Sequence, residues 1–371
     1  MNSEAYMNQV IDLALKGKGR TSPNPIVGAI IVRDSAVVGK GYHKKAGDPH
    51  AEINALRDAG ERARGGTLYV NLEPCCHYGK TPPCTGAIIK SGIERVVVGM
   101  RDPNTLVSGE GIEELRGAGI HTEVGILEEH CRKINEIYVK YITTRRPFVI
   151  MKAGSSLDGK IATHTGESRW ITGKSSREVV HRIRGEVDAI MVGLGTVIKD
   201  DPQLTVRPGE DGIKDPKRVI LDSSLKIPLE SKVLTVDSIS DSIIVTTERG
   251  DTERIKTLEG MGARVLIVEE KDQRVDLDRL MAKLGEMGIT SVLIEGGSEV
   301  YASALEAGIV DKILLFLAPK IIGGVNAPGI VGGRGIESLG DAILLKDIHM
   351  QQIGDDVMIE GYLKKLCLQG L

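Results

Sequence analysis

The stretch HAEINALRDAGERARGGTLYVNLEPCCHYGKTPPC, from His50 to Cys84, decides how the first part of this sequence folds. His50, Cys75 and Cys84 supply one imidazole and two thiols, and Glu52 lies two residues after the histidine. One nitrogen and two sulfurs form a zinc-ligand set with an open fourth position, which is typical of catalytic rather than structural zinc. A carboxylate beside zinc-activated water is a hydrolytic arrangement. The stretch therefore predicts a hydrolytic zinc site.

Helices and strands are predicted to alternate around these ligands. Apolar spacing predicts a helix that starts at His50, with Glu52 in its first turn. TLYVNL is a β-rich run before the first thiols, and a second helix is predicted over 85–91, with Cys84 just before it. A thiol at a helix N-terminus has a lowered pKa, which favours the thiolate that zinc requires. With its flanking segments, the order α-β-β-α-β-α-β-α-β predicts a mixed sheet with helices on its faces.

Length, composition and charge limit the other interpretations. At 371 residues the chain suits two domains of roughly 150 to 200 residues each. A net charge of -3 and an aromatic content of 3% do not favour a nucleic-acid partner. No apolar run has the ~18 residues that a membrane span needs, and the N-terminus predicts an amphipathic helix rather than a signal peptide. The five cysteines indicate a cytoplasmic protein that uses thiols for metal, not a disulfide scaffold.

The spacing of the two thiols departs from the general deaminase signature, H-x-E followed by P-C-x-x-C. Eight residues separate Cys75 from Cys84, and Cys76 cannot comfortably share a metal with its neighbour. HAE with PCCHYGKTPPC, preceded by TSPNPIVG at 21–28, closely resembles the pyrimidine deaminase domain of the bacterial bifunctional riboflavin biosynthesis enzyme. The resemblance covers nearly all of residues 1–145.

This resemblance implies a substrate and a set of site residues. The substrate would be a diaminopyrimidinone that carries a ribosylamino group with a 5′-phosphate. Glu52 would move protons from water to the ring nitrogen and the departing ammonia. Asn24 would hold the base, although a plain turn asparagine is the alternative. His43, Lys80 and Thr81 would line the ribose-phosphate side, where a lysine on a proline-stiffened segment suits an anion.

A second domain is predicted to follow the basic connector Arg145-Arg146-Pro147, which ends one long predicted helix. Apolar runs alternate with helix-like segments, which indicates a mostly parallel sheet with its ligand crevice at the carboxyl ends of the strands. Two glycine segments, 193–196 and 295–298, lie at such ends. The second suits a pyrophosphate at a helix N-terminus. By themselves, both are equally compatible with ordinary turns.

Four motifs together carry a second resemblance. KAGSSLDGKIA (152–162), GESRWIT (166–172), GTVIKDDPQLTVR (195–207) and LIEGG (293–297) occur in this order. They are similar to the reductase domain of the same bifunctional family. That domain resembles dihydrofolate reductase in fold and uses NADPH, so the resemblance implies hydride delivery to the sugar carbon C1′. It covers most of residues 147–365.

The second resemblance also implies site residues. NADPH would contact Gly154, Trp170, Thr196, Asp200, Ser223, Gly297 and Ser298. Substrate would contact Ser168, Arg184, Leu204, Arg207 and Glu295. Arg184 and Arg207 suit phosphate, because a guanidinium can bind bidentately. Lys152, Asp200 and Glu295 are the candidates for the proton transfers that opening the sugar requires; the alternatives are a surface lysine, a helix-start aspartate and a strand-end carboxylate.

We therefore expect an α/β protein with two domains. A cytidine-deaminase-like α/β/α domain is predicted at 1–145, and a dihydrofolate-reductase-like α/β domain at 147–371. The expected enzyme is bifunctional, holds one zinc ion and NADPH, acts on a small phosphorylated pyrimidine and forms a homo-oligomer, either a dimer or a tetramer. One alternative is a nucleoside or tRNA zinc deaminase fused to an unrelated dehydrogenase-like domain. Another is a zinc-stabilised binding module without activity.

Overall fold

Two large β-sheets organise the chain, each within its own unit. The computed structural model describes residues 2–78, 82–105, 107–206, 214–238 and 240–363. The first unit runs to Arg145 and the second begins at Arg146. In the described residues, no helix combines the length and the hydropathy of a membrane span.

The first unit contains a five-stranded sheet. Its strands are β1 (Gly28–Arg33), β2 (Ala36–Tyr42), β3 (Thr67–Leu72), β4 (Arg95–Met100) and β5 (His121–Val124). Its helices are α1 (Ser3–Leu15), α2 (Ala51–Ala59), α3 (Cys84–Ser91), α4 (Glu110–Gly117), α5 (Glu128–Ile134) and α6 (Glu136–Thr144). The strand order is β2-β1-β3-β4-β5. Strand β1 is antiparallel to both neighbours, whereas β3, β4 and β5 are parallel.

The apolar run GAIIVR makes β1 a buried inner strand of this sheet. Glycines in β2 let α2 pack directly on it, since a Cβ at Gly41 would lie 2.3 Å from the carbonyl oxygen of Ala51. This close approach places the start of α2, and so the predicted ligand His50, over the sheet.

The predicted long helix before the connector is two helices, because Asn135 interrupts it. The Asn135 side chain is buried, accepts a hydrogen bond from the Ile26 amide (2.9 Å) and donates one to the Ile26 carbonyl (3.0 Å). These bonds satisfy the backbone just before β1, and Asn135 itself leaves helical geometry (φ −107°). The break depends on a partner 109 positions away, which helical periodicity does not reveal.

The second unit contains a nine-stranded sheet and a small hairpin. The strands of the large sheet are β6 (Phe148–Ser156), β7 (Ala189–Gly193), β8 (Lys217–Leu221), β9 (Ser242–Thr246), β10 (Arg264–Ile267), β13 (Ser291–Gly296), β14 (Lys312–Ala318), β15 (Leu345–Ile353) and β16 (Asp356–Leu363). The hairpin pairs β11 (Glu270–Lys271) with β12 (Arg274–Val275). The α-helices are α7 (Lys174–Glu186), α8 (Leu194–Asp200), α9 (Lys232–Thr235), α10 (Thr252–Gly260), α11 (Leu277–Glu286) and α12 (Ser298–Glu306).

The nine-stranded sheet is mostly parallel, as the alternation of strands and helices predicts. Its order is β10-β9-β8-β7-β13-β6-β14-β16-β15. The pairs from β10 to β14 are parallel, and β16 and β15 add an antiparallel hairpin at one edge. Apolar side chains of β6, β7, β13 and α11 form a buried cluster under the parallel strands. The Gly193–Thr196 segment, predicted as a loop, is instead the end of β7 and the first turn of α8.

Candidate active sites

Three different elements bring the predicted metal ligands together. His50 is the N-cap residue of α2, Cys75 lies in the turn after β3, and Cys84 is the first residue of α3. The Nδ1 atom of His50 lies 3.6 Å from the Sγ of Cys75 and 3.3 Å from the Sγ of Cys84. All three ligand atoms lie within 4.8 Å of one another. A nitrogen and two sulfurs at this spacing fit a zinc ion.

The two predicted thiol ligands interact, and their pKa values move in opposite directions. The Sγ of Cys75 accepts a hydrogen bond from the backbone amide of Cys84 (3.4 Å). Hydrogen bonding with the Cys84 thiol and with His50 lowers the pKa of the Cys75 thiol. The same hydrogen bond with Cys75, together with burial, raises the pKa of the Cys84 thiol. A thiolate is therefore favoured at one of the two sulfurs, which suits a cation.

Glu52 is a buried carboxyl group beside the ligand cluster. Its side chain lies in the first turn of α2, and the residue is 3% exposed. Burial, with a contribution from the charge of Cys75, raises the pKa of Glu52 to about 7. Its Oε2 atom makes no hydrogen bond within the described part of the chain. A buried carboxyl group with an unused oxygen next to three metal-ligand atoms can exchange protons with a water held there.

Asn24 and His43 lie next to each other, and His43 contacts the ligand His50. The Asn24 Nδ2 and His43 Nε2 atoms are 3.2 Å apart, and the His43 Nδ1 is 3.3 Å from the Pro49 carbonyl oxygen. The His43 and His50 rings meet edge to face at 5.4 Å. Burial lowers the pKa of His43, so the ring is neutral, donating from Nδ1 to Pro49 and accepting from Asn24.

The contact with His43 positions Asn24, the residue predicted to hold the base. The amide group of Asn24 points its NH₂ at His43, which leaves its carbonyl oxygen for another partner; Asn24 itself is exposed. His43 is 2% exposed, so it supports Asn24 and His50 more than it lines a phosphate site. Lys80 and Thr81, predicted to face the substrate phosphate, lie outside the described residues, as does Arg207 in the second unit.

A cleft of about 1110 Å³ lies at the carboxyl ends of β6, β7 and β13 in the second unit. Most residues predicted to contact NADPH or substrate there line it. They are Lys152, Gly154, Ser168, Trp170, Arg184, Thr196, Asp200, Leu204, Glu295, Gly297 and Ser298. Ser223 is not among the residues lining this cleft; its carbonyl accepts a hydrogen bond from Thr247 (3.0 Å).

An ion cluster occupies the floor of this cleft. Glu295 is buried, its Oε1 and Oε2 accept hydrogen bonds from the Nε and Nη2 of Arg184 (2.6 and 2.8 Å), and its Oε2 lies 3.2 Å from the Nζ of Lys152. Burial alone would raise the pKa of Glu295, but the two cations outweigh it and lower that pKa to about 2. Glu295 is therefore ionised and pairs with Lys152. Tyr301 also donates a hydrogen bond to the Lys152 carbonyl oxygen.

Arg184 is engaged on each of its nitrogens. Beyond the two bonds to Glu295, its Nη1 donates to the Thr205 carbonyl oxygen (3.1 Å). Arg184 was predicted to bind a phosphate bidentately, but in this structure its Nε and Nη2 atoms bind Glu295 instead. Asp200 is the last residue of α8 rather than a helix-start aspartate, and its Oδ1 accepts a hydrogen bond from Ser168 (3.3 Å).

The backbone at Gly296 and Gly297, beside this cluster, carries no side chains that would keep a ligand away. Gly297 is the N-cap residue of α12 without a side-chain cap, and Gly296 has a φ of 146°. A Cβ at Gly296 would lie 3.3 Å from the Thr196 hydroxyl oxygen. An uncapped helix N-terminus with small residues before it fits the phosphates of a dinucleotide.

Arg177 lines the same cleft, although sequence reasoning did not select it. Its guanidinium carbon lies 4.5 Å from the ring centroid of Trp170, which is 61% exposed. Cation–π contacts of this kind orient an aromatic ring at an otherwise open position. Trp170 is the only tryptophan of the chain, and Arg177 stands seven residues after it, at the start of a charged helix. The short separation of Arg177 from Trp170 is the sequence feature that could have identified Arg177 as part of this cleft.

Comparison with known proteins accounts for both units. The cytidine and deoxycytidylate deaminase zinc-binding region matches residues 1–100, and the RibD C-terminal domain matches residues 147–359. The riboflavin biosynthesis protein RibD of Aquifex aeolicus is 47% identical over 357 residues, which are 95% of this chain and 96% of that protein.

The chain belongs to the RibD family. It is a bifunctional deaminase and reductase of riboflavin biosynthesis, as the two resemblances predicted. The alternatives of a nucleoside or tRNA deaminase with an unrelated tail, and of an inactive zinc module, are wrong, because the family match spans both halves. The predicted α/β fold class, cytidine-deaminase-like and then RibD reductase, is confirmed.

Solved structures of the family support the same conclusion. Acinetobacter baumannii RibD aligns with a TM-score of 0.87 and 37% identity, covering 98% of this chain and 99% of that chain. A diaminohydroxyphosphoribosylaminopyrimidine deaminase/5-amino-6-(5-phosphoribosylamino)uracil reductase from Thermotoga maritima aligns with a TM-score of 0.85 and 37% identity, covering 97% and 98%.

Proposed function

We propose that residues 1–145 deaminate 2,5-diamino-6-ribosylamino-4(3H)-pyrimidinone 5′-phosphate and that residues 147–371 then reduce its ribosylamino group to ribitylamino. The name of the similar Thermotoga maritima protein combines these two activities. One observation carries the proposal for this chain. It holds a buried carboxyl group beside three metal-ligand atoms in one unit and a Lys–Glu–Arg cluster in a dinucleotide-sized cleft in the other.

In the first unit, one zinc ion held by His50, Cys75 and Cys84 would supply the Lewis acidity that activates water. Glu52 accepts a proton from this water as its oxygen adds to the amino-bearing ring carbon, and it protonates the ring nitrogen. Glu52 then takes the remaining proton from the added hydroxyl and passes it to the amino group, so that the carbon–nitrogen bond breaks, the hydroxyl becomes a carbonyl and ammonia leaves. The carbonyl oxygen of Asn24, whose NH₂ group faces His43, would accept a hydrogen bond from the pyrimidine.

In the second unit, NADPH would supply the hydride for the sugar carbon C1′. The open backbone at Gly296 and Gly297, with Trp170 across the cleft, supports its placement there. The Lys152 ammonium can donate a proton to the ring oxygen as the sugar opens to an imine, and Glu295 orients that ammonium. Arg184 holds Glu295 in place.

We also propose that this chain assembles with a second copy of itself through β15. This strand is the edge of the nine-stranded sheet, so its outer backbone groups have no partner strand among the described residues. Its outward side chains include Ile348 and Met350, which are 55% and 73% exposed. An edge strand that exposes apolar side chains such as these is a template for pairing with an identical strand. A cytoplasmic location stays a prediction from the cysteine content.

A coupled assay on the pyrimidine substrate tests the proposed activities. Purified chain should release ammonia from the ribosylaminopyrimidine phosphate, and a chelator should abolish this release. NADPH absorbance should fall only when deaminated substrate is present or is being formed, and the chelator should not affect the reduction of substrate supplied in deaminated form. Ammonia release from cytidine alone, or NADPH consumption with dihydrofolate, would overturn the proposal.

A further inference from the structure

Glu73 is a buried carboxylate two residues before the ligand Cys75, and three backbone groups bond to it. Its Oε2 accepts hydrogen bonds from the amides of Asp102 (3.1 Å) and Gly109 (3.0 Å), and its Oε1 accepts one from the amide of Ile112 (3.2 Å). The residue is 3% exposed. These bonds join the end of β3 to the segment before α4, at Asp102 and Gly109, and to the first turn of α4, at Ile112.

Glu73 serves as the N-terminal cap of α4. The N-cap residue of this helix, Gly109, has no side chain to satisfy the amides of the first turn. The Glu73 carboxylate accepts from two of the amides at this helix start, those of Gly109 and Ile112. Its negative charge also lies at the positive end of the helix dipole. The position of α4 is thereby coupled to the turn that carries Cys75.

Helix α4 also contacts the rest of the ligand-bearing backbone. A Cβ at Gly111 would lie 2.2 Å from the carbonyl oxygen of Pro74, so the helix start packs directly on the ligand turn. The Thr85 hydroxyl, in the helix that begins with the second thiol ligand, donates to the Oε2 of Glu114 (2.9 Å). The Thr85 amide donates to the Cys75 carbonyl oxygen (3.2 Å). Helix α4 therefore braces both thiol-bearing segments.

We infer that Glu73 is a positioning residue for the zinc ligands, which acts through α4 and keeps Cys75 and Cys84 at the separation that the metal requires. The inference rests on the proposed zinc site. Groups that orient metal ligands without touching the metal typically change metal affinity about 10–100-fold when they are removed. Glu73 acts on two ligands at once, because α4 contacts the segments of both.

The test is the zinc affinity of the full chain, measured by competition with a fluorescent zinc chelator. Glu73→Gln replaces one acceptor oxygen with an NH₂ group that faces backbone donors. Glu73→Asp keeps the charge but is one methylene too short to reach all three amides. We expect zinc to bind about 10–100-fold more weakly to Glu73→Gln than to the wild-type chain. The loss of zinc affinity should be smaller in Glu73→Asp. Glu113→Gln is the matched control, since this α4 carboxylate is exposed and its ion-pair partner among the described residues is Arg116.

Thermal unfolding separates positioning from mere stabilisation. A purely structural cap would lower the unfolding temperature while the folded variants bound zinc as tightly as the wild-type chain, and that result would overturn the inference. Far-UV circular dichroism checks that each variant chain is folded, and reductase turnover checks the second unit separately. If Glu73→Gln does not fold, the zinc affinity of Glu73→Asp is the measurement that tests the inference. A wild-type chain that binds no zinc would overturn the proposed metal site itself, whereas unchanged affinity in the variants overturns only the role of Glu73.

Discussion

Glu52 and Glu295 are both buried carboxyl groups, and their surroundings move their pKa values in opposite directions. Burial without a partner for its Oε2 raises the pKa of Glu52 to about 7, so this group can both accept and donate a proton near neutral pH. Lys152 and Arg184 overcome burial at Glu295 and lower its pKa to about 2. One carboxyl group is therefore suited to proton transfer and the other to holding a cation.

Glu52→Gln should abolish most of the deamination and leave the metal in place. The amide has nearly the same size but cannot carry a proton between water and ring nitrogen, so ammonia release should fall about 10²–10⁴-fold. Zinc content, measured by atomic absorption, should stay at the wild-type level, as should the reductase rate. Glu61→Gln, an exposed carboxylate just beyond α2, is the control. Wild-type ammonia release by Glu52→Gln would contradict the assigned role.

Glu295 should make the stability of the second unit depend on acid pH. Its pKa falls from 4.5 to about 2 on folding. Because the folded pKa is the lower one, the stabilisation is present above pH 4.5 and is lost as the pH falls towards 2. At about 1.4 kcal/mol per pKa unit, this contribution is about 3 kcal/mol.

Fluorescence of the single tryptophan, Trp170, reports unfolding of this unit in urea. Between pH 6 and pH 2 the wild-type chain should lose about 3 kcal/mol more of its free energy of unfolding than Glu295→Gln does. Glu286→Gln, on the exposed face of α11, should follow the wild-type curve. Parallel curves for wild type and Glu295→Gln would show that the ion cluster does not lower this pKa.

At the scale of elements, the close packing of α2 on β2 positions the first site. A Cβ at Gly41 would lie 2.3 Å from the Ala51 carbonyl oxygen and 2.4 Å from the Ala55 amide nitrogen. His50 and Glu52 lie at the start of this helix. A shift of α2 away from the sheet would therefore move a metal ligand and the proton-transfer group together.

Gly41→Ala should consequently impair both stability and deamination. Overpacking at such a contact costs roughly 1–3 kcal/mol, which urea unfolding of the first unit would detect. Zinc affinity and ammonia release should fall, while reduction of deaminated substrate stays unchanged. Gly117→Ala is the control, because a Cβ there has no neighbour within 4 Å. Normal deamination by a folded Gly41→Ala chain would exclude this positioning role.

At the scale of the whole molecule, the two edges of the nine-stranded sheet differ in what they present. Strand β15 exposes Ile348 and Met350 at one edge, and the short strand β10 ends the other edge with Ile267. Burying β15 against a second copy would remove from water both these apolar side chains and the strand edge that faces no other strand among the described residues.

Charge on β15 should dissociate the proposed oligomer. The double variant Ile348→Lys, Met350→Lys places two ammonium groups where each copy would meet the other, so the mass in solution should fall to that of one chain. Light scattering after size exclusion measures this mass. Ile267→Lys, on the opposite edge strand, should leave it unchanged. A wild-type chain that is monomeric in solution would contradict the proposed assembly through β15.

Short-range sequence patterns were sufficient for the family and for most of the order of elements in each unit. They also predicted the ligand set His50, Cys75 and Cys84, whose ligand atoms lie within 4.8 Å of one another. These properties depend on residue types and on spacings of a few positions, which define helices, strands and a donor set before any packing is known. Glu52 could be selected for the same reason. It lies two residues after a predicted ligand in the first turn of a helix, so its carboxyl group has to lie close to that ligand.

Only the tertiary structure decided which distant groups meet. Asn135 breaks a helix because its side chain is used by Ile26, Arg184 turns its bidentate edge to Glu295, and Glu73 caps a helix that starts 37 positions later. Each of these partners is separated from its residue by a long stretch of chain. A buried polar group must find a partner wherever packing places one, and local periodicity carries no information about that place.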